Sequence, residues 1–241
     1  MAALVCRREN NAGGWSLWGH IELILGEDQV TVSRITCGFR FAVELMFAAR
    51  LMANKARSIA DGDKFERLAF VTAAVILACS FLEAGLNEFI FLNATSKESP
   101  LSDAQKAVIE AIRSEGLRPR GQHTLQLFNM MLRISKKEPF RKNEEPYRAT
   151  DAVRNLRNLL VHPKPGYITT FSDDPNEDLS QQQPIAKQLR DYLDLDRSAT
   201  FPRDILTSKC ATWAVRSCES FFREFVKRSG VSPGFLTDGR L

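Results

Sequence analysis

The residues best suited to chemistry in this 241-residue chain cluster where one predicted helix runs out, at Arg154-Asn155-Leu156-Arg157-Asn158-Leu159-Leu160-Val161-His162-Pro163. Histidine is the side chain that gains and loses a proton nearest neutral pH, and a guanidinium grips phosphate oxygens with a planar fork. On a continuous helix Arg157 and His162 would point about 140° apart, because each residue turns roughly 100°. Pro163 pushes His162 out of the α region, which frees the imidazole to swing back toward Arg157. The pair can then flank one small anionic group. The negative end of the helix dipole favours a protonated His162, and Arg157 opposes it. A plainer reading is that Arg and His suit a helix C-terminus for dipole reasons and that Pro is an ordinary stop. By chance the bare Arg-to-His spacing turns up about one time in four, but with Asn directly after the Arg only roughly one in a hundred.

A second polar group lies in Ala78-Cys79-Ser80-Phe81-Leu82-Glu83-Ala84-Gly85-Leu86-Asn87-Glu88-Phe89, where Ser80, Glu83 and Asn87 form one strip of an otherwise apolar helix. A buried strip of that kind needs partners, and Arg157 and Asn158 are candidates. Arg154 stands one turn before Arg157. A further basic group holds Arg133, Lys136, Lys137, Arg141 and Lys142, interrupted by Glu138, Glu144 and Glu145. Either group would extend a track for a polyanion, although a solvated loop is the plainer reading of the second. His20 and His123 have no partner at a set spacing and read as structural, and Trp213, Phe221 and Phe222 as core or interface. No P-loop, dinucleotide glycine fingerprint, G-x-S-x-G or H-E-x-x-H occurs. The five cysteines form no C-x-x-C pair, which argues for reduced thiols in a cytoplasm and against a cysteine zinc site.

The chain that must position these groups is 44% apolar and 26% charged, a globular composition. Its net charge of +4 is mild, but 22 of the 33 basic residues are Arg, the residue suited to phosphate. The expected organisation is an N-terminal extension (1–60), a helical domain (61–230) and a tail (231–241). In the extension, Ile21/Leu23/Leu25 and Val30/Val32 alternate around Gly26-Glu27-Asp28, as a short β-hairpin would, and helical spacing predicts a helix over 37–58. Further helices are expected over 64–93, from Ser102 or Asp103 to Gly116, over 124–134, 147–162 and 205–228. A charged loop fills 135–146, and a long polar segment spans 169–184. The fold class is an all-α, antiparallel helical bundle. Its longest apolar run, 68–82, covers about 15 residues against the roughly 20 that cross a bilayer, and Glu83 follows. That marks a core helix and no membrane partner, and the early charges at Arg7 and Arg8 argue against a secretory leader.

Arg157-Asn158-Leu159-Leu160-Val161-His162 resembles the signature of the HEPN superfamily (higher-eukaryote and prokaryote nucleotide-binding), and the strip bearing Glu83 looks like that family's first core helix. The resemblance covers about residues 64–228. It implies an all-α bundle that dimerises so that two Arg/His pairs line one cleft. It also implies a cytoplasmic, metal-independent endoribonuclease without cofactor, acting in toxin–antitoxin or phage-defence systems with a neutralising or regulatory partner. On this reading His162 is general base or acid, Arg157 holds the phosphate, Asn158 orients His162 or the phosphate, and Glu83 positions Arg157. Products carry 2′,3′-cyclic phosphate ends, and DNA is refused for want of a 2′-hydroxyl. Lys164 stands where members controlled by nucleotidylation place a tyrosine. That route is therefore not implied, and Lys164 becomes a candidate phosphate contact.

Overall fold

A computed structural model of the chain describes residues 2–7, 17–25, 30–39, 41–59, 63–95, 99–114, 124–162, 184–195, 201–202 and 204–230. Contacts divide it into two units, Met1–Phe41 and Ala42–Leu241. The first unit is a three-stranded antiparallel sheet, β1 (Ala2–Arg7), β2 (Leu17–Leu25) and β3 (Val30–Phe39), paired in that order. Its β2–β3 pair is the expected hairpin, with Ile21 opposite Ile35, Leu23 opposite Val32 and Leu25 opposite Val30. Gly26-Glu27-Asp28 falls outside the described residues. Two features differ from expectation. β1 adds a strand, and β3 runs through Phe39 where a helix from residue 37 was predicted. Val30, Thr31, Val32, Ile35 and Thr36 are β-branched, and pairing with β2 outweighs the coincidental helical spacing of Val32, Ile35 and Phe39.

The second unit is an all-α bundle of α1 (Ala42–Ser58), α2 (Lys64–Thr95), α3 (Asp103–Ser114), α4 (Thr124–Ile134), α5 (Tyr147–Val161), α6 (Pro184–Leu193) and α7 (Ser208–Ser229). The unit boundary therefore precedes α1 instead of falling at residue 60, because α1 packs along both α2 and α7. α1 and α2 are antiparallel. The Ala42 N–H at the start of α1 donates to Glu88 Oε1, late in α2, at 2.9 Å. That carboxylate satisfies one of the free N–H groups and the positive dipole end of α1. Among the described helices only α2 is long and apolar enough to cross a membrane. Val71, Ala74, Ala78, Phe81, Leu82 and Phe89 are buried along it, as suits a central helix covered by neighbours.

Local signals set most helix ends. Ser102 and Gln105 exchange hydrogen bonds at the start of α3, the Ser N–H donating to Gln105 Oε1 (2.9 Å) and the Gln N–H to Ser102 Oγ (3.4 Å). Thr207 accepts the Cys210 N–H to start α7, and Gly230 closes it in the left-handed region at φ 68°. The expected loop over 135–146 is anchored through Phe140, whose N–H and C=O both bond the Asn129 side chain and whose ring tilts against Phe221 at 4.7 Å. Helix α6 was not expected. It follows the polar segment 169–184 in sequence, and among its described side chains Ala186, Leu189 and Leu193 are buried.

Aromatic rings knit α2, α4 and α7. Phe128 meets Phe221, Phe222 and Phe225 edge-on at 5.1, 6.1 and 4.6 Å, and Phe81 meets Phe222 at 4.9 Å. A Cβ on Gly85 would stand 2.6 Å from Phe222 Cε2, and that buried ring has no room to retreat. Gly85→Ala is expected to lower the unfolding free energy by about 1–3 kcal/mol, read from the urea midpoint. An unchanged midpoint would mean that α2 and α7 do not pack this closely.

Candidate functional site

α5 sorts its residues onto two faces. Ala152, Val153 and Leu156 are buried in the core, as the apolar stripe predicted. Thr150, Arg154, Arg157 and Asn158 recur at i, i+4, i+7 and i+8, forming a polar stripe on another face. That stripe lines a cavity of about 210 Å³, completed by Cys79, Leu82 and Glu83 of α2 and by Thr124, Leu125 and Leu127 of α4. The leucines are buried and give the cavity an apolar side.

Arg157 is held there without being saturated. Its Nη1 donates to Asn158 Oδ1 at 3.2 Å, and its Nη2 lies 3.8 Å from Glu83 Oε1. Its Nε is buried with no hydrogen-bond partner among the described residues. Arg157 is 25% exposed and Glu83 46%, so solvent screens the pair, which contributes about 0–1 kcal/mol. Glu83, Arg157 and Asn158 are thus brought together as the sequence suggested. An orphaned buried donor beside a cavity leaves a guanidinium fork with capacity for an anion.

Arg154 lines the same cavity but is already engaged. Its Nε donates to Asp151 Oδ1 (3.0 Å) and its Nη2 to Asn155 Oδ1 (2.9 Å). Asp151 offsets its charge, so it is a weaker anion ligand than the sequence implied. Asn155 in turn donates to Gln188 Oε1 at 3.1 Å, tying α5 to α6. Thr150 pins the stripe from the other side, with its hydroxyl 2.9 Å from Pro146 O and 3.1 Å from Ser217 O of α7.

His162 is the helix C-cap, at φ −126° and ψ 63°, out of the helical region as a following proline requires. Its N–H donates to Asn158 O at 2.9 Å, so the last helical turn reaches it. It therefore stands one turn beyond Asn158, about 6 Å further along the axis and roughly 40° around it. The imidazole is exposed and does not line the cavity. Its exposure, like that of Val161 before it, leaves the imidazole outside the cavity that Arg157 lines, so the expected swing back into a shared site is not seen there.

The other expected groups separate. Ser80 is half-buried and Asn87 exposed, and neither lines the cavity, while their neighbour Glu88 serves α1 instead. Arg133 is exposed in the last turn of α4, about 14 Å along the helix from Thr124, and Lys136 and Lys137 are exposed just beyond that helix. They do not extend the cavity. Lys164 lies outside the described residues. Sequence reasoning missed Thr150, Thr124 and Cys79. Thr150 was legible from the i, i+4, i+7 spacing with Arg154 and Arg157, whereas Thr124 and Cys79 arrive by tertiary packing. Cys79 is no activated nucleophile's partner, because its neighbour Cys218 is pushed well above the ordinary thiol range by their hydrogen bond and by burial. No cluster of three or more His, Cys, Asp or Glu able to hold a metal ion occurs among the described residues.

No family model matches this chain, and no curated protein or solved structure matches it either.

Glu83→Gln is expected to change the unfolding free energy by less than about 1 kcal/mol, since its ion pair is loose and half-solvated. Thr150→Val, which keeps the volume and removes the buried hydroxyl, is expected to cost about 1–3 kcal/mol. A loss in chemical denaturation for Glu83→Gln that exceeds the loss for Thr150→Val would show that the Glu83 pair, more than the Thr150 bond to α7, holds the stripe in place.

Proposed function

We propose that the chain is a metal-independent endoribonuclease that cleaves RNA through the ribose 2′-hydroxyl, acting in the cytoplasm as a homodimeric toxin or phage-defence effector. One observation carries the reading. A guanidinium with an unused buried donor opens onto a cavity, and an exposed imidazole stands one turn beyond on the same helix.

The chemistry follows from that order. A phosphodiester seated on Arg157 places its ribose toward the cavity rim. His162, as base, takes the 2′-hydroxyl proton, and the oxygen attacks the adjacent phosphorus. The bond to the 5′-oxygen breaks, that oxygen takes up a proton, and the products are a 2′,3′-cyclic phosphate and a 5′-hydroxyl. Arg157 stabilises charge growing on the non-bridging oxygens, and Asn158 and Glu83 hold its fork in place. A composite cleft would place Arg157 and His162 of two copies about one strand, with a neutralising partner covering it.

The exposure of His162 outside the cavity favours a second reading, a non-catalytic nucleotide-binding module. Arg157 would then bind a phosphate and perform no bond cleavage. Incubation with mixed RNA in excess EDTA separates the two. The ribonuclease reading requires cleavage by the wild type with cyclic-phosphate ends, no cleavage of a 2′-deoxy substrate, and a loss of about a hundred-fold or more in both Arg157→Ala and His162→Ala. Intact RNA together with nucleotide binding that Arg157→Ala abolishes would establish the module instead.

A further inference from the structure

Away from the Arg157 cavity, α7 presents a second surface. Every exposed residue from Lys209 to Lys227 on this helix is cationic except Ser220, the cations being Lys209, Arg216, Arg223 and Lys227. Lys209, Arg216 and Arg223 are seven residues apart, which keeps them on one face with a drift of only about 20° per step. With Lys227 the row extends about 27 Å along the axis. The acidic residues of the helix are turned to other work. Glu219 is half-buried and paired with Arg50, and Glu224 accepts Arg228 Nε at 2.9 Å, with Lys227 3.9 Å away. Lys209 has one exposed counter-charge, Asp194 at 3.8 Å.

At the N-terminal end of the row the surface deepens into a cavity of about 410 Å³, lined by Arg57, Lys209, Thr212, Trp213, Arg216 and Tyr192 among others, with no carboxylate among the described residues that line it. Trp213 sits between the cations at i+4 from Lys209 and i−3 from Arg216. It stacks on Tyr192 with ring centroids 5.1 Å apart and planes 28° from parallel. Tyr192 is itself fixed from behind, its hydroxyl donating to Glu145 Oε1 at 2.9 Å and Arg148 lying 5.5 Å from its ring centre. Trp213 was expected in the core or an interface. It is half-buried, packs against the core as expected, and also forms one wall of this cationic cavity.

A row of fixed cations with an aromatic wall matches one class of polymer, a chain of phosphates with flat bases. We propose that the exposed face of α7 is a binding track for single-stranded RNA, with a base stacked at Trp213 and phosphates on Arg57, Lys209, Arg216 and Arg223. The inference rests on RNA being the protein's substrate and adds a contact surface separate from Arg133, Lys136 and Lys137. Its ligand is read by phosphates and stacking and not by the 2′-hydroxyl, so single-stranded DNA binds it comparably.

The test measures binding apart from cleavage, with the full chain and a labelled single-stranded 2′-O-methyl RNA, which transesterification cannot cut. Arg216→Glu and Arg223→Glu, both at exposed positions, are expected to weaken Kd about ten-fold or more and to flatten its salt dependence. Trp213→Ala is expected to weaken it about ten-fold, with Trp213→Phe restoring most of the loss. The unfolding midpoint of each variant checks that the fold persists. Charge reversals that leave Kd within about two-fold overturn the track, even where cleavage of ordinary RNA persists. Heparin binding as tight as RNA binding, with no effect of Trp213→Ala, overturns it in favour of an unselective polyanion surface. Capture by phosphatidylserine vesicles without RNA binding overturns it in favour of a membrane contact. Wild type that binds the probe through these residues yet cuts no RNA upholds the track and removes only the ribonuclease reading.

Discussion

A guanidinium drawn into the side of an apolar bundle has to be answered by carboxylates, carbonyls or water, and Arg157 is answered only in part. Asn158 takes one donor, Glu83 lies 3.8 Å off and half-solvated, and the Nε–H is buried with no acceptor among the described residues. Leaving a buried donor unmet costs about 1–3 kcal/mol, more than the neighbouring ion pair returns. A helix can carry that imbalance only if the rest of it is firmly held. α5 is so held, through Thr150 to α7, Asn155 to α6 and Leu156 to the core. The site is therefore a deficit of hydrogen bonds maintained by a surplus of packing.

The same logic separates the two basic surfaces. At Arg154 the charge is internally matched by Asp151, and the residue reads as part of the scaffold around the cavity. Along α7 Glu219 and Glu224 are drawn to Arg50 and Arg228, and the exposed cations keep, among the described residues, only the loose counter-charges Asp194 beside Lys209 and Glu224 beside Lys227. A protein that uses its acids to fasten helices and leaves its bases facing solvent acquires a field directed at polyanions without a large net charge. The formal +4 conceals this, because charge placement and not charge total decides it.

Much of the bundle could be read from sequence, since α4 and α5 carry apolar residues on one side, α5 ends at Pro163, and α2 is an apolar run too long for a strand. The N-terminal sheet was half legible. Alternation exposed the β2–β3 hairpin, but β1 is only six residues long, and the apolar residues of β3 happen to continue the helical spacing of α1. α6 was hidden because three buried residues beside a long polar segment make a weak signal. At the site, the grouping of Glu83 with Arg157 and Asn158 was inferred from the need of a buried polar strip for partners, and the structure unites those three. Sequence could not say where the His162 ring would go. Pro163 accounts for the backbone leaving the helix at φ −126°, but the side to which the chain turns, and with it the ring, is set by tertiary packing. The placement of Trp213 likewise depends on α6, a helix that had not been anticipated.

If the proposed chemistry holds, Arg157 and His162 share one phosphate. Nuclear magnetic resonance observes both groups directly, through the Arg157 Nε–H and the His162 ring nitrogens, as an uncleavable RNA dinucleotide carrying a 2′-deoxy sugar at the scissile position is added. The account requires both sets of signals to shift together and to saturate at the same ligand concentration. A shift at Arg157 with His162 unmoved, or no shift at either, would contradict it.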